Sequence, residues 1–310
     1  MDQSEQSLIY SYNLIKEGKF DEAKADLSAA LASDLENDEV VYALKCLNFW
    51  NVSTLFHPPS SLEVACVYAD SILEHWNQFT DFIARDSNRF DRCLYAFRVV
   101  VFSVVAQYYS SVLDARALDT DGYCKLAICY KKLGEYDKAL EYYKIANSMS
   151  PNTAAILGEM ADCYALCGED QTSKVLFREA FFLDASKVDI RFFDSELFCR
   201  LLAQVQKARS CAINELLEWI PVYGVLFGVF NVKRQLRAVE IGRLQTTIYS
   251  LENTMREAGS NEAILKPRLI NHYFWLLDHY MMYNESREKI NEVLLKIKIL
   301  DGEIYEKYTN

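Results

Sequence analysis

The sequence predicts an all-α fold, a solenoid built from antiparallel helix hairpins, and three observations support this. The 310-residue chain contains only ten glycines and five prolines, so few positions interrupt helices. Apolar residues recur at the spacings of three and four that are typical of amphipathic helices. Two adjacent segments, 120–153 and 154–187, repeat the same residue pattern in tandem.

The two tandem segments align at one fixed offset, with large, small and turn residues at matching positions. The matched pairs are Tyr123 with Leu157, Leu126 with Met160, Ala127 with Ala161, Tyr130 with Tyr164, Gly134 with Gly168, Tyr143 with Phe177, and Ala146 with Ala180. Each segment predicts two helices joined by a glycine turn. Because a lone hairpin leaves its apolar face in water, such repeats are stabilised by stacking on their neighbours.

The first segment resembles the tetratricopeptide repeat, whose signature it matches at nearly every position. The matching residues are Tyr123, Leu126, Ala127, Tyr130, Gly134, Ala139, Tyr143, Ala146 and Pro151. In the second segment Ser173 replaces the expected alanine and Ala185 the closing proline. The resemblance is clear over 120–187 and weaker over 4–37 and 264–301. It implies a right-handed superhelical solenoid whose concave groove binds a protein or peptide.

The remaining sequence predicts one continuous solenoid in four parts. These are tetratricopeptide-like helices at 1–57, a long irregular helix pair at 58–119, the two tandem repeats at 120–187, and a degenerate helical part at 188–310 with capping helices. The break after the first part is expected at His57-Pro58-Pro59, because prolines stop helices. Val99–Val105 is rich in β-branched residues, yet the flanking apolar spacing favours a buried helix over a strand. Val188–Lys207 is predicted to be one helix, and Asn284 to mark the turn of a final hairpin.

Residues 216–232, LLEWIPVYGVLFGVFNV, form an unusually apolar stretch. It is short for a transmembrane helix and is interrupted by Glu218 and Pro221. We favour an irregular element that is buried by neighbouring helices. The alternatives are a partner or self-association surface and an interfacial membrane contact. The residues that would form such a surface are Trp219, Leu226, Phe227 and Phe230.

Composition and motif content argue against several function classes. The net charge of −11 disfavours non-specific nucleic-acid binding. The nine cysteines include no CxxC, and HExxH, GxSxG and glycine-rich phosphate loops do not occur. We therefore expect no enzymatic activity, no catalytic residue, no metal and no cofactor. The polar start of the sequence and the scattered cysteines predict a cytoplasmic protein.

The resemblance also implies which first-helix residues line the concave groove. Some family members hold a C-terminal carboxylate with lysine and asparagine, but this chain has Leu8 and Tyr12, or Cys124 and Ile128, at those positions. The residues that we select as peptide- or protein-binding are Tyr12, Ile15, Lys16, Cys124, Ile128, Lys131, Lys132, Asp162 and Leu166. The alternative is that these residues pack on the chain's own neighbouring helices.

The predicted function is a non-catalytic scaffold or adaptor that binds a protein or peptide segment in this groove. Self-association into a homo-oligomer is a variant of the same prediction. The alternative is a peripheral scaffold of a membrane-associated assembly, which contacts the membrane or a partner through 216–232. No nucleic-acid partner is expected.

Overall fold

The computed structural model describes residues 3–50, 61–86 and 88–309, and this part of the chain is helical throughout, without a strand. The α-helices are α1 (Gln3–Lys16), α2 (Phe20–Ser33), α3 (Asp38–Phe49), α4 (Leu62–Ile83), α5 (Asp91–Ala115), α6 (Thr120–Lys132), α7 (Tyr136–Met149), α8 (Ala154–Leu166), α9 (Asp170–Asp184), α10 (Glu196–Ala208), α11 (Ile213–Leu226), α12 (Ala238–Arg256), α13 (Glu262–Met282), α14 (Arg287–Leu300) and α15 (Gly302–Thr309). The predicted all-α class is confirmed. The expected break at His57-Pro58-Pro59 lies outside the described residues.

The chain forms two compact units, unit 1 (Met1–Ala146) and unit 2 (Asn147–Asn310). The boundary between them falls inside α7, near its end. It therefore divides the tandem repeat and coincides with none of the predicted boundaries at 57, 119 and 187. The four-part division and the continuity of the solenoid stay predictions.

The repeat hairpins share one turn geometry, which the glycine pattern predicts. Gly18, Gly134 and Gly168 take left-handed φ values of +78°, +86° and +81°. After each glycine, the next backbone N–H donates back to the helix, as from Glu135 to the Tyr130 carbonyl at 2.9 Å. Asn284 takes φ +50° at the predicted turn of the final hairpin. A side chain with a Cβ is strained in this region of φ, which explains glycine at the three repeat turns.

In unit 1, α5 is the central helix and packs on α1, α4 and α6. By length and composition α5 is apolar enough to cross a membrane. Its side chains at Phe97, Val101, Phe102 and Val105 are fully buried within the unit, as is typical of a core helix. This confirms that the β-branched stretch 99–105 is a buried helix.

Unit 2 contains the hairpin of α8 and α9, and α11 packs on α9, α10 and α13. The predicted single helix at Val188–Lys207 is wrong in its first half. A 3-10 turn at Ile190–Phe192 precedes α10, because the Asp189 carboxylate accepts from the Arg191 backbone N–H at 3.1 Å and caps that turn. The α-helix starts only after Ser195, whose hydroxyl accepts from the Phe198 N–H at 3.4 Å.

The apolar stretch 216–232 is more regular than predicted. It continues α11 through Pro221 to Leu226, then turns at Gly228, where φ is +72°. Ile220 and Val222 are fully buried, so packing on α9, α10 and α13 compensates for the backbone hydrogen bond that Pro221 removes. The stretch is thus buried by neighbouring helices, as we favoured, but it is helical and not irregular up to Leu226.

Candidate protein-interaction surface

The predicted groove side of the first repeat is largely covered by the chain itself. Tyr12 is 4% exposed and Ile15 is fully buried, because α1 packs against α5. The Tyr12 hydroxyl donates to Glu39 Oε1 of α3 at 2.8 Å. Burial of this hydroxyl raises the pKa of Tyr12 well above its usual range. Tyr12 and Ile15 therefore pack on the chain's own neighbouring helices, which is the alternative given in the sequence analysis.

Lys16 lies at the edge of this covered region, beside an open cleft of about 360 Å³. The cleft separates α1 from the start of α5, and its lining residues are Ile9, Tyr12, Asn13, Lys16, Asp91, Arg92 and Tyr95. The Lys16 Nζ lies 5.1 Å from the centroid of the Tyr95 ring, which is 47% exposed. Tyr12 and Lys16 both line this cleft, but Tyr12 is 4% exposed, so Lys16 is the more accessible of the two side chains.

Arg92, which also lines this cleft, forms two ion pairs. The Arg92 guanidinium donates to Glu5 Oε1 at 2.5 Å and to Glu39 Oε2 at 2.8 Å. The hydrogen bond from Arg92 lowers the pKa of Glu5. Arg92 is therefore neutralised by carboxylates from α1 and α3.

The candidates on α6 differ in exposure. Cys124 and Ile128 are half-buried, whereas Lys131 is 1% exposed and Lys132 is 8% exposed. Only Cys124 and Ile128 therefore present side-chain surface, and their role as contact residues stays a prediction.

On α8, Asp162 has a structural task within unit 2. Its carboxylate is fully buried and accepts hydrogen bonds from the backbone N–H groups of Asp194 at 3.0 Å and Ser195 at 2.9 Å. These bonds hold the segment that leads into α10. Leu166 is half-buried near the end of the same helix as Asp162. Asp162 therefore presents no groove surface, while Leu166 keeps some.

The four residues predicted as a surface on 216–232 do not form one. Trp219 is 6% exposed and Phe230 fully buried, whereas Leu226 is half-buried and Phe227 is 42% exposed. The Phe230 ring lies 6.2 Å from the ring of Phe177 in the core of unit 2. A surface on this stretch would be limited to Leu226 and Phe227.

A second cleft in unit 1, of about 330 Å³, lies where α4, α5 and α6 meet. Lys125, which lines this cleft, pairs with two of its carboxylates. The Lys125 ammonium bonds Asp70 at 2.8 Å and Asp121 at 2.6 Å, and the Tyr109 hydroxyl donates to Asp70. This arrangement ties the start of α6 to α4 and is satisfied without a ligand. Over the described residues, no three His, Cys, Asp or Glu side chains come together as a metal site.

Sequence reasoning missed Arg92, Tyr95 and Arg98, which lie outside every repeat segment. A signal exists, since the three residues are spaced by three along α5 and so share one side of that helix. The Arg98 Cζ lies 5.2 Å from the Tyr95 ring centroid. Arg92, on the other side of Tyr95 in the sequence, forms the ion pairs described above. These three residues were not selected because α5 contains no repeat motif that assigns its residues to a binding surface.

Comparison with known proteins identifies part of the chain. The tetratricopeptide repeat family model matches residues 120–153. No curated protein matches the chain. The matched segment coincides with α6, α7 and their glycine turn, in which the rings of Tyr130 and Tyr142 stack at 5.5 Å. The chain thus carries a tetratricopeptide repeat at residues 120–153, within an all-α fold of helix hairpins.

Proposed function

We propose that the protein is a non-catalytic scaffold or adaptor that binds a protein or peptide segment. The observation that carries this proposal is the tetratricopeptide repeat at 120–153, because repeats of this kind generally mediate protein–protein interaction. The net charge of −11 supports a protein partner over a nucleic acid. We propose a cytoplasmic location for the same scaffold, from its scattered free cysteines.

Contact through α11 is the weaker alternative. Burial of Trp219 and Phe230 within unit 2 removes the apolar residues that would have entered a membrane or a partner there. We therefore propose that the partner contacts the helix surfaces of the repeats and of the helices that pack on them, and not the 216–232 stretch.

Affinity capture of the tagged full chain from a lysate of its native source tests the proposal. An unrelated acidic helical protein with the same tag serves as the control bait. We expect at least one protein to be enriched on the chain alone, or a self-complex in light scattering of the purified chain. A strictly monomeric chain that enriches no protein in capture or in cross-linking would contradict the proposal.

A further inference from the structure

Two cations in unit 1 share one exposed aromatic ring. Lys16 of α1 lies 5.1 Å from the Tyr95 centroid, and Arg98 of α5 lies 5.2 Å from it. A cation over the face of an aromatic ring is attracted by the negative potential of that face. The Tyr95 ring therefore has a positive charge beside it from each of two helices, an arrangement that attracts an anion.

Among the described residues no carboxylate pairs with Lys16 or Arg98, and the buried Arg98 Nε–H finds no acceptor there. Arg92, six residues earlier on α5, behaves differently, because Glu5 and Glu39 neutralise it. Within the described residues, Arg92 is thus paired with carboxylates, whereas Lys16 and Arg98 contact the Tyr95 ring without a carboxylate partner.

A largely apolar cleft adjoins Lys16 and the Tyr95 ring. The cleft of about 360 Å³ has Ile9 and the Tyr12 ring on one side and Tyr95 on the other. Ile9 is 39% exposed, so a bulky apolar side chain that enters the cleft would remove both its own surface and that of Ile9 from water. An amphipathic segment with an acidic residue beside an apolar one matches both features.

We propose that unit 1 binds an acidic segment of a protein partner. An Asp or Glu carboxylate of the partner contacts Lys16 and Arg98, while a neighbouring apolar side chain enters the cleft beside Tyr95. The inference rests on the proposed function and names the chemistry of the partner. A protein carboxylate is favoured over an anionic lipid surface, because two cations and a cleft of side-chain size do not overcome the repulsion between a membrane and a chain of net charge −11.

Selection from a display library of random 16-residue peptides on the immobilised full chain tests this inference. We expect the enriched peptides to carry Asp or Glu next to a bulky apolar residue. Their affinity is then measured by fluorescence anisotropy on wild type, on Lys16→Glu/Arg98→Glu and on Lys24→Glu. Lys24 is exposed on α2 away from the cleft lining, so Lys24→Glu is a charge-matched control. We expect at least tenfold weaker binding for the double variant and less than a twofold change for the control.

In the peptide experiment, three results would overturn the inference: no enriched peptide, enriched peptides without acidic residues, or equal affinity for wild type and the double variant. Tyr95→Leu separates the ring from the charges, and we expect it to weaken binding while circular dichroism stays unchanged. Phosphatidylserine vesicles are the second probe, and binding of these that the double variant loses would identify a lipid surface instead. If a captured native partner binds the double variant as well as wild type, the inference fails while the proposed function stands.

Discussion

Substitution of Gly224 by alanine tests how tightly α11 is packed. A Cβ on Gly224 would lie 2.3 Å from Phe230 Cδ2 and 2.7 Å from its Cε2. Phe230 is fully buried, and its ring lies 6.2 Å from Phe177 and 5.9 Å from Phe181. The ring therefore cannot move away from a new methyl group without displacing other core side chains.

Two opposing terms set the size of the effect. Alanine is favoured over glycine in a helix interior by about 1 kcal/mol. An extra methyl in a well-packed core costs about 1–3 kcal/mol, and contacts this short with three ring atoms place Gly224→Ala at the upper end. We expect a net loss of about 1–2 kcal/mol in the free energy of unfolding.

The same substitution at Gly242 provides the matched control. Gly242 is exposed on α12, and a Cβ there meets nothing within 4 Å. Gly242→Ala should therefore stabilise the chain by about 0.5–1 kcal/mol. Urea unfolding followed by far-ultraviolet circular dichroism compares both variants with wild type.

A second substitution shows whether the clash with Phe230 is the cause. Phe230→Leu removes the ring atoms that the new methyl group meets, so the Gly224→Ala/Phe230→Leu double variant should lose less than the sum of the two single losses. A Gly224→Ala protein as stable as Gly242→Ala would refute the packing of α11 described above.

Three further predictions concern buried charge and titration in unit 2. Arg178 is 3% exposed and pairs with Asp278, so Arg178→Met should lower the free energy of unfolding by about 3–5 kcal/mol. Asp278→Leu in the same chain should recover most of this loss. Additive losses in urea unfolding would contradict the pairing. Asp162→Ala removes the acceptor of the buried Ser195 N–H and of the part-buried Asp194 N–H, and should cost about 2–3 kcal/mol in the same assay, with Asp162→Asn milder. An equal loss in both variants would argue against the hydrogen bonds. Burial lowers the pKa of His272 below its ordinary 6.5, so below pH 6.5 the unfolded chain binds a proton that the folded chain does not. The free energy of unfolding should therefore fall as the pH drops below 6.5, by at most about 1.4 kcal/mol per pH unit. His272→Asn should flatten this slope in unfolding at several pH values, and an unchanged slope would contradict the assignment.

The helix hairpins could be predicted from the sequence because their causes are local. Gly134 and Gly168 end helices through their own backbone freedom, and the Tyr123 to Ala146 pattern sets which faces are buried. The hairpin turn at Asn284 likewise has a residue with positive φ at the end of the helix.

The candidate site was harder to predict because its residues depend on contacts that are distant in sequence. The burial of Tyr12 and Ile15 requires α5, which begins 76 residues or more further along the chain and belongs to no repeat. The repeat position of Asp162 predicts a groove residue, but the loop before α10 places two backbone N–H donors beside its carboxylate. Phe230 returns to the core through the turn at Gly228, and no local pattern shows this.

The most direct measurement is quantitative affinity capture of the full chain from its native source, followed by amine cross-linking of the eluted complex. Wild type and Lys24→Glu should enrich the same partner, with cross-links from the partner to Lys16, the one lysine of α1, or to Lys19 just after it. Lys16→Glu/Arg98→Glu should recover at least tenfold less of it. A chain that elutes as a monomer with no enriched protein would contradict a protein-binding role for this repeat protein.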